Sequence, residues 1–534
     1  VSPQVLLRSA GAVAAATLLA ASAEPLGWWA AAPAGAGVLA VCVHGAGGRL
    51  GSLLGFVTGT AWSVLLVPWL AAVGLSAWVV TSVAVGVFVG LTGAAMSLVA
   101  RWPGWPVWVA VVWVLGEEVW SRVPLGGFPW PRLAWSAVDA PWAGWLALVG
   151  VPGTSMVVFL SGSFAAWVAT MTVRRLRCPL RRPRARAAGA LGTAGVSATL
   201  LSAPLLWPPA SLGSGWVADA ETFTVAVVQG GVPGDGTQLA AHHREVTDRL
   251  AEATVGIGRT GGTVRPVADG GVPIAPDLVL WPENSTAVDP GADADVRADL
   301  VRASAAVDAP VLVGTIEDGP RTGTAVNLTR VWRDGHDVGR AYVKRHLVPF
   351  GEYVPWRDLF RTLGVGRVDE VPRDMLPGGD QGPFGVAGTH VGLLICFDVA
   401  HDDAVRAAID GGAELLAVQT SNATFTGTRQ LNQQLVITRA RALETGRAVV
   451  VAATTGVSAV IAPDGSVVSR SEDSGRAVLV EDVPLVRDKT AAAAAGPLVV
   501  PSAAALLSLS ALWRRARVAR LGRTSRVRRP RASR

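Results

Sequence analysis

Apolar residues run almost without a break from the start of the chain to about residue 210, interrupted by Gly, Pro and short charged joints. A helix needs about 20 such residues to cross the hydrocarbon core of a bilayer. The runs predict spans near 9–23, 27–45, 52–71, 75–99, 106–122, 143–171 and 187–207. The first also has features of a signal peptide, because Arg8 precedes an Ala-rich run containing Ala21-Ser22-Ala23. An uncleaved helix is preferred, since further spans follow at once. From about Glu221 to Asp488 the pattern changes to short Val/Leu-rich runs separated by polar, Gly-rich loops. A last apolar run at 491–513 predicts an eighth span, followed by an Arg-rich tail at 514–534.

Within the middle region, apolar runs at 223–229, 276–283, 309–315, 325–332, 390–398, 413–421, 448–455 and 458–465 predict buried or half-buried strands. Helical patterns fall between some of them, at 239–254, 295–307, 402–412 and 432–446. Alternation of this kind implies layered α/β architecture. The expected organisation is a helical membrane domain at 1–210, an α/β domain at 221–488, the span at 491–513 and the basic tail.

Charge orients the chain. The formal net charge is +7, and the basic residues cluster in the tail and in the 173–186 segment. Beside apolar segments, such clusters mark the cytoplasmic face of a membrane rather than a nucleic-acid site. With Arg8 inside, the joints at Arg49 and Arg101 and the 173–186 segment also fall inside. The α/β domain is then outside and the tail returns inside. Three cysteines, Cys42, Cys178 and Cys396, provide neither a disulfide framework nor a paired spacing for zinc. Only Cys396 falls outside by this topology. Glu117 and Glu118 lie in a predicted span with no intramembrane partner charge evident, which argues against an ion path.

Three residues stand at predicted strand ends or on the loops after them, where α/β folds place catalytic groups. Glu283 follows Leu-Val-Leu-Trp-Pro, Lys344 lies in "YVKRHLVPFGEYVP" with Glu352 eight residues later, and Cys396 ends "GLLIC". A thiol is a weak nucleophile until it loses its proton, so a carboxylate beside it serves as base. An ammonium group stabilises the thiolate and the later oxyanion. Taken singly, each has a plain reading: an inert packed thiol, a solvated loop carboxylate, a surface lysine.

"LWPE", "YVKRHLVPFGEYVP" and "LLICFD" together are similar to the Glu-Lys-Cys signature of the nitrilase, or carbon–nitrogen hydrolase, superfamily, whose fold is an αββα sandwich. Spans before and after such a domain, with "GGFPWPRLAWS" (126–136) and "QQLVITRARALETGR" (433–447), resemble its membrane-bound branch, the apolipoprotein N-acyltransferases. The sequence departs from that family at Phe397-Asp398, where Tyr-Glu is usual, and at Thr455, where Asn is usual. No tryptophan after "VVQGGVP" matches the family's lid residue.

The resemblance implies an acyltransferase of the bacterial cell (inner) membrane with both termini cytoplasmic. Phospholipid would be the acyl donor and a diacylglyceryl apolipoprotein the acceptor. Cys396 would carry the acyl group as a thioester, Glu283 would be the base, and Lys344 with the Phe397 N–H would stabilise the oxyanion. Glu352 would support Lys344. No metal, organic cofactor or nucleic acid is implied, and a monomer is expected. Two other readings stand beside it: a membrane-tethered amidase or nitrilase acting on small amides, and a non-enzymatic transporter or receptor whose outer domain binds ligand.

Overall fold

The computed structural model describes residues 2–177, 220–234, 242–259, 275–363, 371–379 and 381–527. The expected seventh span at 187–207 and Cys178 lie outside them, as does much of the stretch that follows "VVQGGVP".

The first part of the chain folds as helices α1 (Pro3–Ala21), α2 (Ala31–Val43), α3 (Gly48–Leu66), α4 (Leu75–Val99), α5 (Trp105–Trp120) and α6 (Trp145–Arg177). α3 and α4 cross so closely that a Cβ on Gly55 would collide with the Val89 carbonyl. Small residues allow such backbone approach where no water drives helices together. α6 is broken near its start, where Gly150 has φ 68° and Pro152 follows. The chain ends with α12 (Ala491–Ala495) and α13 (Val499–Val527). Among the described residues, five helical segments are long and apolar enough to cross a membrane: 3–21, 48–66, 75–99, 145–173 and 491–517. Helix α2, at 13 residues, is shorter than the predicted span at 27–45. α13 continues to Val527, so most of the stretch expected as a separate tail prolongs the last helix. Arg has good helix propensity, and no proline interrupts the stretch from Arg514 to Val527.

The membrane helices have two distinct ends. Arg8 donates to the Cys42 and His44 carbonyls at the α2–α3 joint, and the Arg514 guanidinium lies 5.0 Å from the Trp102 ring centroid at the α4–α5 joint. The opposite end carries the joints around Glu24, Leu66 and Trp130, which meet the α/β domain through Gln433.

That domain contains two sheets. One has the order β13-β1-β2-β3-β4-β5, with β6 pairing β4. Its strands are β1 (Thr222–Gln229), β2 (Leu278–Leu280), β3 (Val311–Asp318), β4 (Thr324–Arg333), β5 (His336–Val343), β6 (Asp374–Met375) and β13 (Ala477–Pro484). The other has the order β12-β11-β10-β9-β8-β7: β7 (Phe384–Val386), β8 (Thr389–Ile395), β9 (Leu415–Thr420), β10 (Val449–Ala453), β11 (Ala459–Ile461) and β12 (Val467–Arg470). β1, β2 and β3 run parallel, as do β8, β9 and β10.

Alternation along each strand sorts side chains to its two faces. Val225 and Val227 of β1 meet Leu393 and Ile395 of β8 in the core between the sheets. Ala226 and Val228 face outward, into a cluster with α7 (His243–Arg259) and α8 (Ala294–Ala306). Leu394 and Leu416 face the other way, toward α10 (Asp402–Asp410) and α11 (Gln430–Thr445). A short α9 (Arg357–Leu363) lies on the loop after Glu352. The result is an αββα sandwich. The cluster that includes α10 and α11 continues without a gap into the membrane helices, so one helical layer of the sandwich rests on the bundle.

Candidate active site

Glu283, Lys344 and Cys396 all stand just past the C-terminal ends of strands: β2, β5 and β8. β8 ends at Ile395 because Cys396 adopts φ 50°, a conformation that non-glycine residues rarely take. Strain of this kind gathers at functional sites. The chain turns there into one 3₁₀ turn, Cys396–Ala400. Asp398 fixes that turn. It accepts from the Ile395 N–H at 3.1 Å, the His346 N–H at 2.8 Å and the Tyr342 hydroxyl at 3.1 Å. The shorter acid at this position therefore reaches its donors. The missing hydroxyl at Phe397 is also accommodated: its ring packs 6.4 Å from Trp130 and 6.5 Å from Phe128, centroid to centroid.

Lys344 is 1 % exposed, and its Nζ lies 2.9 Å from Glu283 Oε1 and 2.9 Å from Glu352 Oε1. Burial alone would lower the lysine's pKa, but these carboxylates outweigh it and hold the ammonium well above its ordinary value. Burial raises the Glu283 pKa, helped by Glu352 and opposed by Lys344. Glu283 Oε1 also accepts from Asn327 Nδ2 at 2.7 Å, and Oε2 accepts from the Ser421 N–H at 2.8 Å. Glu352 Oε1 takes a second bond from Asn327 at 3.0 Å, while Oε2 takes the Val348 N–H at 2.8 Å. Asn327 thus bridges the two carboxylates that hold the lysine. Sequence reasoning missed it; its only signal is an amide on a strand otherwise rich in apolar residues.

Cys396 is a free thiol with a partly open face. Burial, then the Glu283 charge, pushes its pKa up to about 12, against the pull of Lys344 and a hydrogen bond with Thr420. The resting group is therefore a neutral thiol beside a lysine clamped by carboxylates, and a nucleophilic role for it would call for a base. The Thr455 hydroxyl accepts from the Val232 N–H at 3.2 Å and ties two loops together.

Glu117 and Glu118 require a correction. They are not without a partner: Arg132, from the "GGFPWPR" loop, lies 3.2 Å from Glu117 Oε1 and 2.5 Å from Glu118 Oε1. The pairing spans the turn after α5 and is invisible along the chain. Gln433 joins the domains nearby, accepting from the Trp69 indole at 2.9 Å and the Trp130 indole at 2.7 Å. His346, His401 and Asp403 also cluster, but the two imidazoles stack 3.7 Å apart and 2° from parallel. Their in-plane lone pairs run side by side and do not converge on one ion.

The carbon-nitrogen hydrolase family model matches residues 224–492, and that of the apolipoprotein N-acyltransferase N-terminal domain matches residues 15–164. An apolipoprotein N-acyltransferase from Mycolicibacterium smegmatis is 35% identical over 485 residues, covering 90% of this chain and 80% of its own. One from Ralstonia nicotianae is 30% identical over 80% of this chain and 73% of its own. Among solved structures, a carbon-nitrogen hydrolase from Helicobacter pylori is similar at 18% identity and TM-score 0.35, over 50% of this chain and 90% of that one. With both halves matched in order, and relatives aligned through both, the chain belongs to the apolipoprotein N-acyltransferases, membrane-bound acyltransferases with a carbon–nitrogen hydrolase domain.

Proposed function

We propose that this acyltransferase works through a Cys396 thioester, taking its acyl chain from a phospholipid and passing it to the α-amine of a diacylglyceryl-cysteine at the start of an apolipoprotein. In the first half-reaction Glu283 takes the Sγ proton, sulfur attacks the ester carbonyl, and the carbon–oxygen bond breaks. The proton leaves with the lysophospholipid. In the second, the amine attacks the thioester, the carbon–sulfur bond breaks, and the amine's proton returns to sulfur through Glu283. Lys344 and the Phe397 N–H stabilise both tetrahedral oxyanions. The observation that carries this reading is Lys344 Nζ, 2.9 Å from both Glu283 and Glu352, with Cys396 on a positive-φ turn close enough to feel its charge. Both substrates are lipid-anchored, which fits a catalytic domain seated on a membrane bundle. The test is intact-mass analysis after incubation with phospholipid. One added acyl chain, absent in Cys396→Ala, is expected; an unmodified protein sinks the thioester.

Lys344→Met keeps the stem but leaves Glu283 and Glu352 facing each other without a cation. We expect N-acylation per folded molecule to fall about a hundredfold or more, as when one oxyanion donor is removed. A twofold loss would show that Lys344 only braces the site.

The catalytic domain is assigned to the outer face. Arg8, the Arg101 joint and Arg514 lie at the end of the bundle away from the α/β domain, which agrees with a positive cytoplasmic side. A cysteine introduced at Asp308, whose side chain is 93% exposed, should be labelled by a membrane-impermeant maleimide in spheroplasts. One at the exposed Arg515 should label only after lysis. The reverse pattern would invert the orientation.

A further inference from the structure

Arg132 belongs to the membrane domain by sequence, yet its third contact is in the catalytic domain: Nη1 donates to Asp402 Oδ2 at 2.8 Å, 270 residues away. Asp402 stands two residues beyond the 3₁₀ turn that begins with Cys396. Its other oxygen accepts from Arg441 Nη2 at 2.8 Å. Arg441 in turn donates to the Val399 carbonyl at 2.9 Å and the Ala400 carbonyl at 2.8 Å, and to Glu444 Oε2 at 2.6 Å. Glu444 Oε1 accepts from the Val151 N–H at 3.1 Å, at the break in α6. The turn carrying the thiol is therefore held at its far end by two buried guanidinium groups, one from each domain. At its near end the Phe397 ring rests on Phe128 and Trp130 of the same membrane loop that carries Arg132.

The arrangement is a costly way to obtain stability alone. A buried ionic cluster gains little over well-packed apolar residues of the same volume. Its distinctive property is direction: each of the three guanidinium nitrogens of Arg132 points at a different carboxylate, Glu117, Glu118 and Asp402. Lysine, a single point charge, cannot reproduce that fork. The Arg132–Asp402 pair is 3 % exposed on the arginine side, and its geometry is fixed from the membrane side by the two α5 carboxylates.

We propose that Arg132 is a positioning residue of the acyl transfer: through Asp402 it makes the membrane domain set the orientation of the turn that carries the Cys396 thiol. The inference rests on the reading of Cys396 as nucleophile. It predicts a defect in the chemical step rather than in lipid binding.

The experiment uses the full-length protein in phospholipid nanodiscs, with Arg132→Lys, Asp402→Asn and the double variant. Single-turnover acylation of Cys396 is followed by intact mass against phospholipid concentration and normalised to folded protein. Iodoacetamide alkylation of Cys396 is followed separately by peptide mapping. Each single variant should lose about ten- to a hundredfold in maximal acylation rate, the scale of a small misplacement of a reacting group. The half-saturating lipid concentration should not move. The double variant should lose no more than the worse single, because both remove one shared contact. A role in folding alone would lower the yield or melting temperature and leave the rate per folded molecule intact; that outcome overturns the proposal. So does a loss confined to the half-saturating concentration, or losses that multiply in the double variant. Should Arg132→Lys fail to fold, the isosteric Asp402→Asn carries the test. If the wild-type protein takes no acyl chain on Cys396, the nucleophile reading fails. The alkylation arm then decides positioning alone: a changed rate in Asp402→Asn supports it, and an unchanged rate overturns it.

Discussion

Cys396→Ser is expected to eliminate both the acyl adduct and lipoprotein N-acylation, the largest single effect available in this chain. The substitution preserves shape: serine differs by one atom and keeps a group that can accept from Thr420. What it loses is acidity and nucleophilicity. The thiol already sits at about 12 in this pocket, raised by burial and by Glu283. A hydroxyl, subject to the same burial and the same neighbouring carboxylate, would be pushed up from a much higher starting point. Glu283, held by Lys344, Asn327 and the Ser421 N–H, is too weak a base to deprotonate it. The ester product would also be poorer than a thioester at delivering its acyl group to an amine. We expect a loss greater than about a thousandfold, larger than removal of one oxyanion donor produces. The readout is acylated lipoprotein by mass, with folding checked by thermal unfolding. Near-normal turnover in the serine variant would remove Cys396 from the reaction.

The parts of the fold legible in sequence were those with a strong buried signal. The central strands β1, β3, β8, β9 and β10 lie under Val/Leu-rich runs, because both faces are covered along most of each, while β4 was read from a run that Asn327, Thr329 and Arg330 interrupt and is only partly covered. The strands that went unread, β5, β6, β7, β12 and β13, are sheet edges or, for β6, an off-path pair. Edge strands carry exposed and charged residues that blunt pairing with other chains, and this erases the apolar run. β5, His336–Val343, is exposed along most of its length and includes Asp337, Gly339 and Arg340. β2 shows the opposite error: only Leu278–Leu280 pair, because Trp281 and Pro282 begin the turn that delivers Glu283.

The site divides in the same way. Glu283, Lys344, Glu352 and Cys396 were readable because they sit in distinctive short motifs after apolar runs, and the structure brings their side chains together. Asn327 and Thr420 were not, since one amide or hydroxyl on a strand carries no local mark of the side chains it meets. Arg132 was legible only as part of a quoted motif. Its pairing with Glu117, Glu118 and Asp402 depends on two domains meeting, which no window of sequence contains.

Glu283→Gln separates the proposed base role of one carboxylate from the effect of its charge, and its two expected effects have opposite signs. As the proposed base, Glu283 would accept the thiol proton during attack. Glutamine keeps the volume and can still bond to the Ser421 N–H, but it has no lone pair basic enough for that proton. Loss of general-base catalysis is expected to cost about a hundred- to ten-thousandfold in the rate of acyl-adduct formation. As a charge, Glu283 works against the thiolate: its field is the second cause, after burial, of the raised Cys396 pKa. Removing a negative neighbour favours the anionic form, so the Cys396 pKa should fall below about 12 in the variant. Lys344, relieved of one carboxylate, then acts on the thiolate more freely. The rate of alkylation by iodoacetamide, which needs only thiolate, should therefore rise at a lower pH in Glu283→Gln than in the wild-type protein. Acylation by phospholipid, which also needs the proton moved in concert, should nearly stop. A variant that alkylates sooner yet fails to acylate identifies Glu283 as the base. If acylation instead proceeds at the wild-type rate, the proton goes elsewhere; if the alkylation profile shifts upward, the charge of Glu283 was not what held the thiol protonated.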